Sequence, residues 1–343
     1  MSDILFEKRG AAGLITLNRP QALNALTHAM VVAMKAQLDA WAGDPEISCV
    51  AVRGAGERAF CAGGDIRALA ESGREGTPYA LDFWRDEYIL NAAIKHYRKP
   101  YVALMHGIAM GGGLGVSVHG NYRVVDDTAL AAMPETGIGF FPDIGGSYFL
   151  SRCPGEIGMY LALTGARLKT ADALYAGIAT HLVRAEIWPL LVDGLAQGEI
   201  PAELFSEIET RPAPEAPLAE RRVAIDNIFG LPSVEEILEG LDEERDEWAA
   251  STAAAIRTKS PTSLKIAFRE VREGKTLSFD DCLRMEFCIA SRILAGHDFF
   301  EGVRAAIVDK DGAPKWRPAS LGDVTDDAVD AYFAPLGEKK LPL

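Results

Sequence analysis

Apolar residues along the first half of the chain alternate between two patterns. Short uninterrupted apolar runs at residues 13–17, 49–53 and 101–105 predict buried strands. Between these runs, apolar residues three and four positions apart predict long helices over residues 22–41 and 79–97. Strands and helices that follow one another in this way are typical of an α/β fold rather than an all-α or all-β fold.

The second half of the chain is predicted to be mostly helical. Short helices are expected over residues 158–163 and 170–176 and a strand over 179–183, and a helical pattern then continues from about residue 186 to 300. The composition shifts near Pro212. We therefore expect a core domain over residues 1–211 and a mainly helical C-terminal region over residues 212–343.

Composition and charge narrow the class of protein. The chain has 343 residues, of which 48% are hydrophobic and 24% charged, as in a soluble globular protein. A net charge of -14 argues against a nucleic-acid partner, and no apolar run reaches the length of a membrane span. The five cysteines show no CxxC pair and no zinc spacing, so we expect free thiols in a reducing compartment. The N-terminal stretch lacks the character of a targeting segment. These features predict a cytoplasmic protein.

Two glycine-rich turns each follow a predicted strand. One comprises Cys61 to Asp65, with Gly63 and Gly64 at its centre, and the other comprises residues 111–113, which are all glycine. Neither turn matches a phosphate-binding loop or a dinucleotide-binding fingerprint. Two such turns could each offer one N–H group to a single oxygen, as an oxyanion hole requires, or could simply allow close packing of a helix on a strand.

Three carboxylates lie in apolar surroundings. Glu87 interrupts the apolar stripe of the helix predicted over residues 79–97, so its side chain either reaches past the stripe to water or points into a cavity. Glu135 and Asp143 lie in an irregular apolar loop, where acids are often paired or have a shifted pKa. Two simpler explanations remain open at this point. Glu135 could be a turn residue that faces solvent, and Asp143 could cap the segment over residues 145–152.

Other kinds of catalytic or metal site find little support in the sequence. Cys61 has no histidine near it and is predicted to be packed rather than nucleophilic. The six histidines form no metal-binding pair, so we expect no metal site. The chain also lacks the Gly-x-Ser-x-Gly turn of serine hydrolases.

Two segments carry a resemblance to a known family. Phe60-Cys-Ala-Gly-Gly-Asp-Ile66 and His106-Gly-Ile-Ala-Met-Gly-Gly-Gly113 resemble the crotonase superfamily of enoyl-CoA hydratases and isomerases, and the resemblance extends over nearly the whole chain. Within it, Arg85-Asp-Glu-Tyr88 and Pro134-Glu-Thr-Gly-Ile-Gly-Phe-Phe-Pro-Asp-Ile-Gly-Gly146 resemble the 3-hydroxyisobutyryl-CoA hydrolases. The resemblance implies the crotonase fold, which is a spiral of ββα units with a C-terminal helical region.

The resemblance also implies roles for individual residues. The N–H groups of Gly64 and Gly112 would form an oxyanion hole for the thioester, and Glu135 would activate water or attack the carbonyl directly. Asp143 and Glu87 would hold the 3-hydroxyl of the acyl group or assist proton transfer. Hydratases of the superfamily carry an additional glutamate where this chain has Gly115, so hydration by a pair of glutamates is not expected.

The expected activity is hydrolysis of 3-hydroxyisobutyryl-CoA or 3-hydroxypropionyl-CoA to the free acid and CoA, as in valine catabolism. Such an enzyme needs no cofactor, because coenzyme A is part of the small-molecule substrate, and no membrane or nucleic-acid partner. Homo-oligomers recur in the superfamily, which makes one possible here by analogy. Two alternatives remain, namely another crotonase reaction with Glu135 as the single base, and a non-catalytic acyl-CoA-binding protein.

Overall fold

The computed structural model describes residues 2–208 and 214–343. The described residues fall into two compact units, and each unit is assembled from three separate segments of the chain. Unit 1 comprises Met1–Asp65, Ile89–Ala131 and Arg167–Ala219, and unit 2 comprises Ile66–Tyr88, Ala132–Ala166 and Glu220–Leu343. The boundary predicted between residues 211 and 212 lies outside the described residues and stays a prediction.

The strands of the described residues form two sheets. The strands are β1 Ile4–Arg9, β2 Ala12–Leu17, β3 Cys49–Gly54, β4 Ala59–Cys61, β5 Tyr101–Met105, β6 Ile108–Met110, β7 Tyr122–Val125, β8 Leu130–Ala132, β9 Leu168–Lys169 and β10 His181–Leu182. Unit 1 is built on a sheet of six of them, in the order β1-β2-β3-β5-β7-β10, in which only the β1–β2 pair is antiparallel. A second sheet has the order β4-β6-β8-β9, in which β4 and β6 are parallel.

The apolar runs of the sequence explain the central strands of this sheet. A parallel strand is usually covered on both faces, so nearly every residue along it is apolar rather than every second one. All five residues of β5 are buried, and the hydrophobic core of unit 1 combines residues of β2, β3 and β5 with Leu191 and Leu195. The three strands predicted in the first half of the chain, and with them the α/β class, are confirmed.

Helices make up most of the rest. They are α1 His28–Gly43, α2 Ile66–Glu75, α3 Tyr79–Lys95, α4 Gly112–Gly115, α5 Gly146–Leu150, α6 Ile157–Thr164, α7 Thr170–Tyr175, α8 Trp188–Gln197, α9 Pro201–Glu207, α10 Pro217–Glu220, α11 Arg222–Phe229, α12 Val234–Glu243, α13 Glu247–Arg257, α14 Pro261–Gly274, α15 Phe279–Ile293, α16 Asp298–Val303 and α17 Asp326–Phe333. The C-terminal part is helical, as the sequence predicts. None of the helices in the described residues is both long enough and apolar enough to cross a membrane.

The first long helix begins later than the periodicity predicts. Residues 22–27 are not part of it, and Leu23 and Asn24 adopt positive φ angles of 52° and 57°. The Asn24 amide donates to the carbonyls of Ala55 and Ala59, so this segment is held as a loop against β4. Thr27 then caps the helix by accepting a hydrogen bond from the N–H of Met30.

Unit 2 contains an aromatic cluster and a set of closely packed helices. Trp84 of α3 stacks on Phe140 with ring centroids 5.1 Å apart, and Phe299 lies within 6 Å of both rings. A Cβ on Gly274 would lie 2.1 Å from the Ser147 carbonyl oxygen, so glycine is needed where α14 crosses α5. These contacts fix the loop around Phe140 against α3, and they fix α5, which follows this loop, against α14.

Candidate active site

The two glycine-rich turns lie side by side in unit 1. They follow β4 and β6, and since these strands are parallel, both turns leave the same edge of the sheet. A Cβ on Gly63 would lie 3.2 Å from the Met110 carbonyl oxygen and 3.5 Å from the Gly112 nitrogen. A Cβ on Gly113 would lie 2.2 Å from the Cys61 carbonyl oxygen, so that position requires glycine for the turns to approach.

Two N–H groups, those of Gly64 and Gly112, are not used in backbone hydrogen bonds of the described residues. Leu26 donates to the Gly63 carbonyl at 2.8 Å and accepts from Asp65 at 2.9 Å, so the N–H of Gly64 points away from Leu26. Gly112 is the first residue of α4, where N–H groups have no partner within the helix. Within residues 2–208 and 214–343, neither N–H donates to a backbone carbonyl. Two donors on adjoining turns fit the predicted oxyanion hole, whose role stays a prediction.

The three candidate carboxylates all belong to unit 2, and all are buried. The relative exposures of Glu87, Glu135 and Asp143 are 2%, 6% and 5%. Glu87 therefore does not reach water from its apolar stripe. Glu135 opens a short 3-10 turn over Glu135–Ile138 and does not face solvent, so that simpler explanation is wrong.

Asp143 is not the helix cap that its position suggested. The N-cap of α5 is Gly145, and no side chain caps this helix N-terminus from the N-cap position. The Asp143 carboxylate instead accepts a hydrogen bond of 2.9 Å from the hydroxyl of Tyr88, which is fully buried on α3 one residue after Glu87. The α3 helix thus contributes one candidate carboxylate and the hydrogen-bond donor of another.

Burial raises the pKa of all three acids. Burial raises the pKa of Glu135 well above its ordinary value of 4.5, and the charge of Asp143 raises it further. The pKa of Glu87 is likewise well above 4.5, through burial and then through Asp143 and Glu135. Burial raises the pKa of Asp143 from 3.8 to about 7, although the hydrogen bond from Tyr88 opposes the rise. The pKa of Asp143 therefore lies close to neutrality.

Two oxygens of this group have no partner in the protein. Oε1 of Glu87 and Oε2 of Glu135 are buried, and no group in the described part of the chain hydrogen-bonds to either. A buried polar atom without a partner is costly and uncommon in native proteins. Unpaired oxygens on two neighbouring acids indicate a place where a polar group of a ligand, or water, is bound.

The sequence reasoning missed three residues that surround these acids. Tyr88 lies in one of the family motifs, but the motif alone assigns it no role. Glu286 of α15 is fully buried and accepts hydrogen bonds from Gly145 and Ser147, and Glu270 of α14 is fully buried with neither oxygen paired among the described residues. Both glutamates lie within the apolar faces of their helices, which is the same signal that singled out Glu87.

The structure also describes Cys61 and the side chains of the types that bind metals. Cys61 is fully buried, and its thiol donates to the Asn24 carbonyl, so the prediction that it is packed is confirmed. Across residues 2–208 and 214–343, no group of three or more His, Cys, Asp and Glu side chains is arranged to hold a metal ion.

The model of the enoyl-CoA hydratase/isomerase family matches residues 12–333 of the chain. The chain belongs to this family. A protein of Danio rerio named "3-hydroxyisobutyryl-CoA hydrolase, mitochondrial" is 48% identical over 351 residues, covering 100% of this chain and 92% of that protein. The Homo sapiens protein of the same name is 44% identical, covering 99% and 90%. The predicted resemblance to the family, and within it to these hydrolases, is confirmed.

Solved structures of the family confirm the crotonase fold. A structure titled as a carnitinyl-CoA dehydratase from Mycobacterium thermoresistibile has a TM-score of 0.95 and 43% identity, covering 100% of this chain and 99% of that one. A structure titled as an enoyl-CoA hydratase from Rhodobacter sphaeroides 2.4.1 has a TM-score of 0.94 and 40% identity, with 100% of both chains covered. The names of these family members therefore include a hydrolase, a dehydratase and a hydratase.

Two further observations bear on the predictions. Gly115 is buried in α4 and has no side chain where the resemblance places the additional glutamate of hydratases. The hydrolase relatives are named as mitochondrial, so they do not support the predicted cytoplasmic location.

Proposed function

We propose that the protein hydrolyses the thioester of 3-hydroxyisobutyryl-CoA, releasing 3-hydroxyisobutyrate and CoA. The observation that carries the proposal is the acid group of unit 2, in which Glu135 is buried with an oxygen free to engage water or a thioester. The absence of a carboxylate at Gly115 argues against hydration by two glutamates, and the similarity to hydrolases over the full chain supports thioester cleavage. The unbranched 3-hydroxypropionyl ester is a second substrate of the same chemistry.

The glycine turns are assigned to the charge that develops on the thioester oxygen. Attack at the carbonyl carbon turns this oxygen into an oxyanion, and N–H groups positioned beforehand stabilise it. Gly64 and Gly112 supply two such groups. Losing one donor of this kind typically costs about 3 kcal/mol of transition-state stabilisation.

Glu135 is assigned to the attack itself. As a general base it takes a proton from water while the water oxygen bonds to the carbonyl carbon, and it returns the proton to the departing CoA thiolate. As a nucleophile it forms an anhydride with the acyl group while CoA leaves, and water then cleaves the anhydride. A single turnover in ¹⁸O water tests for the anhydride, because only attack of water on an anhydride at its Glu135 carbonyl places ¹⁸O in the Glu135 carboxylate.

Glu87 and Asp143 are assigned to the 3-hydroxyl of the acyl group. They lie close enough to Glu135 to shift its pKa or to be shifted by it, so they share its surroundings. The unpaired oxygen of Glu87 can accept or donate a hydrogen bond to a hydroxyl, depending on its protonation. The substrate hydroxyl would then pair polar atoms that are unpaired in the free protein.

We also propose a compartment, a cofactor requirement and a pathway for the reaction. All five cysteines are free thiols, which fits a compartment in which thiols stay reduced. In this proposal the reaction needs no cofactor besides the CoA portion of the substrate, and the pathway it serves is valine catabolism. Assembly into a homo-oligomer stays a prediction by analogy, which light scattering would test.

Thiol release from a panel of CoA esters tests the proposal. The panel contains 3-hydroxyisobutyryl-, 3-hydroxypropionyl-, isobutyryl- and crotonyl-CoA, with free thiol and the enoyl absorbance followed together. We expect one thiol per acid formed from the 3-hydroxy esters and an unchanged double bond in crotonyl-CoA. The names of the solved relatives favour hydration or dehydration as the second candidate, which would change the enoyl absorbance without releasing thiol. Binding without either signal would favour a non-catalytic acyl-CoA-binding protein.

A further inference from the structure

Glu286 is a buried acid whose carboxylate is fully engaged by one short turn. Its Oε2 accepts a hydrogen bond of 2.7 Å from the N–H of Gly145. Its Oε1 accepts one of 3.0 Å from the N–H of Ser147 and one of 2.5 Å from the Ser147 hydroxyl. The side chain is fully buried, so water does not compete for these donors. A carboxylate that accepts main-chain N–H groups fixes the backbone that carries them.

The backbone of this turn needs to be held. Ile144 and Gly145 both adopt positive φ angles, 57° and 81°. A β-branched residue rarely adopts this conformation, and a strained backbone persists only where its surroundings over-determine it. The turn also contains a hydrogen bond of 2.8 Å from the N–H of Gly146 to the Asp143 carbonyl. The residue at the start of the turn is thus Asp143, whose carboxylate belongs to the candidate site.

The same stretch of α15 supports Asp143 from its other side. Phe287, the residue after Glu286, packs edge-to-face against the Tyr88 ring with centroids 6.2 Å apart. Tyr88 in turn donates the hydrogen bond of 2.9 Å to the Asp143 carboxylate. Adjacent residues of α15 therefore hold both the backbone that carries Asp143 and the side chain that binds its carboxylate.

We propose that Glu286 is a positioning residue, which fixes the turn from Asp143 to Ser147 and thereby holds the Asp143 carboxylate at the substrate hydroxyl. The inference rests on the proposed function, because the hydroxyl-binding role of Asp143 comes from it. Glu286 itself does not contact the substrate in this proposal. Its effect is on the choice between esters with and without a 3-hydroxyl.

The Glu286→Gln variant tests this role. The amide keeps the size of the side chain, but its NH₂ group faces a main-chain N–H of either Gly145 or Ser147, which then has no acceptor. We expect kcat for 3-hydroxyisobutyryl-CoA to fall at least about ten-fold, because small displacements of a positioned group have effects of this size or larger. The preference for this ester over isobutyryl-CoA, as a ratio of kcat/KM values, should fall by a similar factor. KM should change less than about three-fold, since the CoA portion binds as before.

Asp226→Asn is the matched control. Asp226 also belongs to unit 2 and also accepts a main-chain N–H, that of Glu156, at 2.9 Å. The control should lower the melting temperature and leave the preference between the two esters at the wild-type value. If Glu286→Gln does not fold, Glu286→Asp takes its place, because it retains the acceptor oxygens but withdraws them from the turn by one methylene. It should lower kcat and the preference in the same way.

The outcomes separate the inference from the function on which it rests. A folded Glu286 variant with the kcat and ester preference of the wild type would overturn the positioning role. So would a loss of activity that only follows the folded fraction, as in Asp226→Asn. Absence of thiol release by the wild type from both esters would instead overturn the proposed function, and the inference with it.

Discussion

Replacing Tyr88 by Phe removes a single hydrogen bond from the candidate site. Tyr88 is fully buried, and its hydroxyl donates to Asp143 Oδ2 at 2.9 Å. Phe occupies the same space and retains the edge-to-face contact with Phe287, so the packing of the ring should change little. The hydrogen bond favours the ionised form of Asp143, and without it the carboxyl should hold its proton to a higher pH.

The size of the effect follows from the strength of the bond. A hydrogen bond to a charged group contributes about 1.5–3 kcal/mol, and one pKa unit corresponds to about 1.4 kcal/mol. The pKa of Asp143, now about 7, should therefore rise by about one to two units in Tyr88→Phe. At neutral pH the variant would then hold Asp143 almost entirely in its protonated form.

The pH dependence of kcat/KM for 3-hydroxyisobutyryl-CoA measures this shift. If ionised Asp143 is needed, activity falls as the pH drops through its pKa, and the acid limb of the profile should move up by about one to two units. Tyr101→Phe is the control, because it removes another buried tyrosine hydroxyl, which donates to the Val116 carbonyl at 2.8 Å in unit 1. Its acid limb should not move. An acid limb that stays in place in Tyr88→Phe, or moves to lower pH, would refute the reasoning.

Four further predictions follow from the same geometry. Glu135→Gln should abolish thiol release while CoA-ester binding, measured by calorimetry, stays nearly intact; more than a few per cent of residual activity would remove Glu135 from its role. Gly113→Ala should lower both the melting temperature and kcat, because its Cβ would lie 2.2 Å from the Cys61 carbonyl oxygen, and unchanged values would show that the turns can separate freely. Glu87→Gln should reduce the preference for 3-hydroxyisobutyryl-CoA over isobutyryl-CoA, which we expect to be on the order of 10² in the wild type; comparable cleavage of both esters by the wild type would contradict the hydroxyl assignment. Asp143 is protonated when folded and ionised when unfolded between about pH 4 and 7, so its share of stability, up to about 4 kcal/mol, should be lost as the pH rises through this range. Asp143→Asn should therefore gain stability relative to the wild type in urea unfolding at pH 8 but not at pH 4.

Much of the fold follows from local sequence pattern. The apolar runs that became β2, β3 and β5 are apolar at nearly every position because parallel strands are covered on both faces. The glycines of the two turns stand out for a related reason, since a close approach of two backbones leaves no room for a Cβ. Glu87 stands out because it interrupts an apolar stripe. Each of these features can be recognised from a few neighbouring residues of the sequence.

The apolar periodicity predicts a longer α1 than the structure has. The cause is a set of tertiary contacts that the local sequence pattern does not show. Residues 22–27 have apolar spacing compatible with a helix, but the hydrogen bonds of Asn24 go to carbonyls more than 30 residues away in sequence. Those bonds hold the segment as a loop. A local propensity for helix gives way where the tertiary structure offers such partners.

The environment of the acids was decided by tertiary structure alone. The sequence identified Glu87, Glu135 and Asp143 but not their partners, because Tyr88 and Asp143 are 55 residues apart and Glu286 and Gly145 are 141 apart. The interleaved segments of the two units depend on such distant contacts as well. A buried position leaves a periodic trace in the sequence, since its neighbours along the helix or strand are apolar too. The partner of a hydrogen bond cannot be recognised from such a pattern, because it is distant in sequence. Which distant residue lies within about 3 Å is determined only when the chain folds.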